Sequence, residues 1–148
     1  MSFQGAPVFG GNVSVEDAYA MLEKEPSATL VDVRTQPEWQ FVGAPDLTGL
    51  GKNPIFIEWQ VYPVMEVDAA FVSKLSNELK SRGVDETAPI LFLCRSGVRS
   101  LHAAKAMTAA GWGRCYNISD GFEGGLDGQR HRGASAGWQA RGLPWSQS

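Results

Sequence analysis

The chain has 148 residues, 43% hydrophobic and 20% charged, so it is long enough for one domain with its own core and is neither disordered nor fibrous in composition. Its formal net charge of −3 leaves no basic footprint, which argues against nucleic acid or an anionic membrane surface as the main partner. Two cysteines, Cys94 and Cys115, and two histidines fit neither a disulfide framework nor a zinc site, and no apolar run approaches the roughly 20 residues of a membrane span.

Residues 1–12 carry glycines and Pro7 and read as an extended lead-in without the pattern of a signal peptide, so a cytoplasmic protein with reduced thiols is expected. Ser14 then caps a helix that places Val15, Ala18, Tyr19 and Leu22 on one face and ends before Pro26. Residues 28–33 form a short apolar strand that brings Asp32 and Arg34 to its carboxyl end, and Pro37 and Glu38 suit the first turn of a short helix with Trp39 and Phe41. Residues 43–54 are dense in Gly, Pro, Asn and Asp and read as a loop before a strand at 55–57. No element is assigned between Glu58 and Met65. Asp68 caps a helix with Ala69, Val72, Leu75 and Leu79 at helical spacing, stopped by Gly83.

Residues 90–93 are uniformly apolar, as expected of a strand covered on both faces of a parallel sheet. A helix follows, with Val98, Leu101, Ala104, Lys105 and Met107, finishing at Gly111; residues 115–118 supply another strand. The remainder is glycine-rich yet carries Trp138 and Trp145, so it is expected to pack on the domain as an irregular tail, either as a cover or as a lid. This order implies a parallel α/β sheet with helices on both faces.

Cys94 stands at the carboxyl end of the 90–93 strand, where open α/β sheets place their ligands. The thiolate is the nucleophilic form of cysteine, and two features favour negative charge here. Arg95, Ser96, Gly97 and Val98 lead directly into a helix, whose unpaired N–H groups and positive dipole end point back toward the sulfur, and Arg95 and Arg99 add full charges. The small Ser96 and Gly97 suit a backbone nest that approaches an anion closely.

The stretch Cys94-Arg95-Ser96-Gly97-Val98-Arg99-Ser100 resembles the active-site loop of the rhodanese family of sulfurtransferases. Asp32-Val33-Arg34 with Glu38-Trp39 is similar to that family's D-V-R-x(3)-E-[FWY] segment, and Gly111-Trp112, Asn117 and Gly121-Phe122-Glu123-Gly124 resemble its segment after the active-site helix. The tail, with Gly137-Trp138 and Arg141-Gly142-Leu143-Pro144-Trp145, is similar to that of single-domain bacterial members, and the resemblance implies three layers, α/β/α, around a central parallel sheet of about five short strands, with a lead-in at 1–12, a domain at 13–125 and a tail at 126–148. The resemblance implies that Cys94 takes a sulfane sulfur from a small anionic donor such as thiosulfate and passes it, as a persulfide, to a thiol, a cyanide-like acceptor or a protein acceptor. It implies a cradle of Arg95, Ser96, Gly97, Val98 and Arg99, with Arg99 holding the loop or the donor, support from Asp32, Arg34 and Ser100, and no metal or organic cofactor. Many members carry Gly-His-Ile-Pro-Gly-Ala after the D-V-R segment; Gly43-Ala44-Pro45-Asp46-Leu47 stands there instead, which is expected to reshape one pocket wall.

The nearest rival is a cysteine-dependent phosphatase, which also cradles an anion beside a cysteine and an arginine. Those enzymes space the pair as C-x(5)-R, whereas Cys94 and Arg99 are C-x(4)-R, a smaller cradle suited to one sulfur atom. A non-catalytic or persulfide-carrying module is the third reading. Arg34 is expected to pair with Glu38, His102 stands three residues after Arg99, on the same helix face, and offers a Cys94–His102 dyad as an alternative, and Cys115 reads as a core thiol.

Overall fold

The computed structural model describes residues 8–147, so most of the expected lead-in lies outside the described residues. A short strand Asn12–Val13 (β1) runs into helix Val15–Lys24 (α1), strand Thr29–Asp32 (β2) and the short helix Gln36–Phe41 (α2). Two-residue strands follow at Ala44–Pro45 (β3), Ile55–Phe56 (β4), Gln60–Val61 (β5) and Glu66–Val67 (β6), with a 3₁₀ turn at Thr48–Leu50. Helix Phe71–Ser81 (α3), strand Ile90–Leu93 (β7), helix Val98–Ala109 (α4) and strand Cys115–Ile118 (β8) come next, and helix Gly137–Ala140 (α5) and strand Trp145–Ser146 (β9) close the chain.

The central sheet has the order β1-β8-β7-β2-β4, and every pairing in it is parallel. Its inner strands β2 and β7 are wholly buried, which is why their sequences do not alternate between apolar and polar. Successive side chains still go to opposite faces. Val31, Ile90, Phe92 and Cys94 face α3 and α4, with Phe71, Leu75, Leu79, Ala103, Ala104 and Met107; Leu30, Leu91 and Leu93 face α1, with Val15, Ala18, Leu22 and Trp138. Parity along β7 therefore aims Cys94 at the layer that holds the amino end of α4.

Several expectations are corrected by tertiary context. Asn12–Val13 falls at the edge of the expected lead-in but extends the sheet, pairing with Asn117 and Ile118 of β8. The unassigned segment after Glu58 is a small antiparallel hairpin, β5 with β6. Ala69 lies before α3, because Asp68 caps the chain by accepting from the Ala70 N–H at 2.8 Å and the helix begins at Phe71. In α4 the buried face is Ser100, Ala103, Ala104, Met107 and Thr108, while Val98 and Lys105 are exposed; small residues let this helix approach the sheet closely. The glycine-rich loop after α2 contains β3, which pairs with β9, and the tail's Trp138 is buried beside Tyr19 in a T-shaped contact.

Candidate active site

The chain leaves β7 at Leu93 and reaches α4 at Val98 through a loop that Gly97 closes with φ of 103°. That left-handed conformation suits glycine, and a Cβ at this position would run into the Ser119 backbone carbonyl. The turn directs the Gly97 N–H at the Cys94 sulfur, with N–Sγ of 3.1 Å. The Ser100 hydroxyl lies 3.2 Å from the same sulfur. From behind, Phe122 donates its N–H to the Cys94 carbonyl, and Glu123 and Gly124 donate theirs to the Arg95 carbonyl. The Gly-Phe-Glu-Gly stretch thus fixes the loop through its backbone.

Cys94 forms the floor of a cavity of about 350 Å³ whose lining includes Arg95, Ser96, Val98 and Arg99, with Glu38, Gln60 and Met65 opposite. Cys94 itself is only 1% exposed. The structure thus gathers the cysteine and its loop around one cavity, with Gly97 and Ser100 touching the sulfur from beneath. Asp32 and Arg34 sit at the end of the neighbouring strand and do not line it. Gln60 and Met65 were not legible as site residues, because their hairpin has neither the length nor the alternation that marks a strand. Glu38, assigned to Arg34 by proximity in sequence, belongs to Arg99.

The Arg99 guanidinium grips Glu38 with two parallel bonds, Nη1–Oε1 at 2.8 Å and Nη2–Oε2 at 2.9 Å. Arg34 pairs instead with Asp32, at 2.8 Å, both side chains being fully buried; it also donates to the Gly43 carbonyl and lies 4.1 Å from the Phe122 ring centre. Arg99 therefore ties the loop helix to α2 and has its charge matched, whereas the exposed Arg95 forms no ion pair among the described residues. Burial pushes the Glu38 carboxyl up, but the bonds and charge of Arg99, with donors from Thr35, outweigh it and hold the carboxyl down at about 2. A carboxyl depressed in the folded state stabilises the fold fully above its unfolded value of 4.5, and that contribution is lost as pH falls toward about 2. Glu38→Gln is accordingly expected to lower stability by about 1–3 kcal/mol at pH 7. It should also flatten the loss of stability between pH 4.5 and 2, read from denaturant midpoints across pH.

Two alternatives to the loop do not meet the sulfur. His102 is exposed and lines a neighbouring cavity with Trp59, Val67 and Lys105, which shares Gln60, Val98 and Arg99 with the Cys94 cavity but does not include Cys94, whose partners are Gly97 and Ser100. Cys115 pairs with Ile90 at the opposite end of β7, roughly 13 Å along the strand direction from Cys94. Burial pushes its thiol up to about 11, consistent with a core role. The described part of the tail is not a lid: Trp145 packs edge-on against Phe122, at 6.1 Å between ring centres, and none of residues 126–147 lines the Cys94 cavity. Nor do residues 43–47 form a wall of it. The departure at Gly43-Ala44-Pro45 serves the β3–β9 pairing and the Arg34 bond.

A doubly covered parallel sheet carries a cysteine at a strand end, with the Gly97 N–H on its sulfur where the loop opens a helix. Comparison with known proteins gives that architecture a family. The profile of the STR4 middle domain matches residues 10–148. The uncharacterized protein RC0915 of Rickettsia conorii is 42% identical over 134 residues, covering 90% of this chain and 95% of that one. The crystal structure of Rv0390 from M. tuberculosis superposes with a TM-score of 0.83 at 43% identity, over 95% of this chain and all of that one. The polysulfide-sulfur transferase homodimer of Wolinella succinogenes gives a TM-score of 0.55 at 26% identity, over 93% and 78%. More distant plant relatives, of which the chain spans about a quarter, carry rhodanese-like names. The chain belongs to the rhodanese-like family, the sulfurtransferase superfamily. Among the described residues no helix is long and apolar enough to cross a membrane.

Proposed function

We propose that the protein is a sulfurtransferase that carries a sulfane sulfur on Cys94, taking it from an anionic donor such as thiosulfate and delivering it to a thiol or cyanide-like acceptor. The Cys94 thiolate attacks the outer sulfur of thiosulfate; a new S–S bond forms, the old one breaks, and sulfite leaves with its electron pair. The acceptor then attacks the outer persulfide sulfur, and the thiolate is restored. Chain and substrates supply every group in this cycle, without a metal or organic cofactor. A reducing cytoplasm, where both cysteines stay free, is the fitting compartment.

The observation that carries the reading is the Gly97 N–H on the Cys94 sulfur at 3.1 Å, within a four-residue spacing to Arg99. Such a donor stabilises the attacking thiolate and any charge returned to Sγ when the acceptor departs with sulfur. Arg95 at the mouth draws in the anionic donor, and the exposed side chains of Val98 and Met65 suit the carbon skeleton of a thiol acceptor, free or protein-borne. The name of the Wolinella relative, a polysulfide-sulfur transferase, agrees with this class of chemistry. Thiosulfate and cyanide together should yield thiocyanate, with no hydrolysis of an aryl phosphate. Phosphate release without thiocyanate would overturn the proposal in favour of a phosphatase.

A further inference from the structure

Asn117 stands behind the nucleophile on β8, 2% exposed, and its bonds determine how the Ser100 hydroxyl is used. Its Nδ2 donates to the Gly97 carbonyl at 3.1 Å and to Asn12 Oδ1 at 3.0 Å. A backbone carbonyl only accepts, so the Asn117 amide is fixed in orientation and its Oδ1 must face Ser100. There Oδ1 lies 2.6 Å from the Ser100 oxygen, and since an amide oxygen has no hydrogen to give, Ser100 donates its single one. The same Ser100 oxygen is 3.2 Å from Cys94 Sγ. With the hydrogen committed to Asn117, Ser100 offers the sulfur only a lone pair, which suits an S–H and disfavours a thiolate. An anion at Sγ competes for that hydrogen, because hydrogen bonds to charged acceptors are the stronger ones.

We propose that Asn117 is a positioning residue that sets the ionisation of Cys94 through Ser100. The hydroxyl hydrogen rests on Asn117 Oδ1 while the sulfur is a thiol or a persulfide, and turns to Sγ when the sulfur is a thiolate. No covalent bond of Ser100 changes; the S–H proton leaves to solvent, and only the hydrogen bond switches partner. In the thiolate state Asn117 Oδ1 loses its donor inside the protein, and it regains the donor once Sγ is bonded to a second sulfur and carries neither hydrogen nor charge. Asn117, by competing for that hydrogen, therefore raises the free thiolate relative to the persulfide and steepens the first half-reaction, whereas the Ser100 hydroxyl, once turned, lowers the thiolate.

Among the described residues, the ionisable groups that line the Cys94 cavity are Arg95 and Arg99 of its own loop and helix and Glu38 of α2 bonded to Arg99, while the mutually paired Asp32 and Arg34 at the end of β2 lie outside that lining. The hairpin adds only the uncharged Gln60 and Met65.

The inference rests on Cys94 as the reactive thiol, and its test requires no sulfur donor. Alkylation of Cys94 by iodoacetamide is followed across pH by peptide mass spectrometry, which separates it from Cys115. In Asn117→Leu the pH of half-maximal alkylation should fall by about half a unit to one unit, and in Ser100→Ala it should rise by a similar amount. The double variant should match Ser100→Ala alone. If Asn117→Leu shifts the profile equally in the Ser100→Ala background, Asn117 acts through Gly97 and the proposal is wrong. Should Asn117→Leu not fold, an unchanged or lowered pH in Ser100→Ala overturns it. A failure of sulfur transfer would instead show as no persulfide with any donor, leaving these profiles as predicted.

Discussion

Cys94→Ser is expected to abolish thiocyanate formation, by about 10³-fold or more, while leaving a folded protein. Serine keeps the size of the side chain and meets the same two neighbours, the Gly97 N–H and the Ser100 hydroxyl, so the buried site stays bonded. Folding free energy should change by no more than about 1 kcal/mol. What is lost is the chemistry: an alkoxide is inaccessible at neutral pH, and an oxygen cannot carry sulfane sulfur in a persulfide, so the covalent half of the cycle has no substitute. Thiosulfate and cyanide turnover with a parallel denaturation curve checks both parts. A Cys94→Ser protein that still turned over would remove Cys94 from the mechanism.

Asp32→Asn is expected to produce the largest stability loss, about 3–5 kcal/mol, because it strips the matching charge from a guanidinium that has no access to water. Asp32 holds the Arg34 Nε and Nη2 groups and also accepts the Arg34 backbone N–H at 3.1 Å. Asparagine keeps the shape but turns one acceptor oxygen into a donor facing a cation. Against a total stability of about 5–15 kcal/mol for an ordinary domain, this loss lowers the denaturant midpoint steeply at unchanged slope. The site should suffer with it, since β2 carries on into Thr35 and Glu38, the anchor of Arg99. A shift below about 1 kcal/mol would mean that the buried pair is not coupled to folding in the way its burial implies.

The parts of this fold that sequence reveals are those in which local and global preferences agree. The apolar runs of β2 and β7, the Ser14 cap of α1 and the glycine at 97 each follow from a residue type whose physics points one way. The loop around Cys94 was legible for that reason, since strand end, glycine turn and helix start occur together. The pairing of charges was not. Arg34 and Glu38 are close in sequence, but Arg34 turns back to Asp32 and Glu38 reaches across 61 positions to Arg99, a choice fixed by the sheet order. The far wall was equally hidden: two-residue strands carry too little pattern to identify, so Gln60 and Met65 emerge only once the hairpin folds over the loop. Asn117 could be matched to a family segment, yet its contact with Ser100 depends on β8 lying beside β7.

The central claim, sulfur carried on Cys94, is tested most directly by intact-mass analysis of the purified protein after thiosulfate and again after cyanide. The account predicts a gain of one sulfur atom, located to Cys94 by peptide mapping, and its complete loss as thiocyanate on addition of cyanide. An unchanged mass with thiosulfate, polysulfide and other sulfane donors, or a sulfur atom found on Cys115 in place of Cys94, would contradict it.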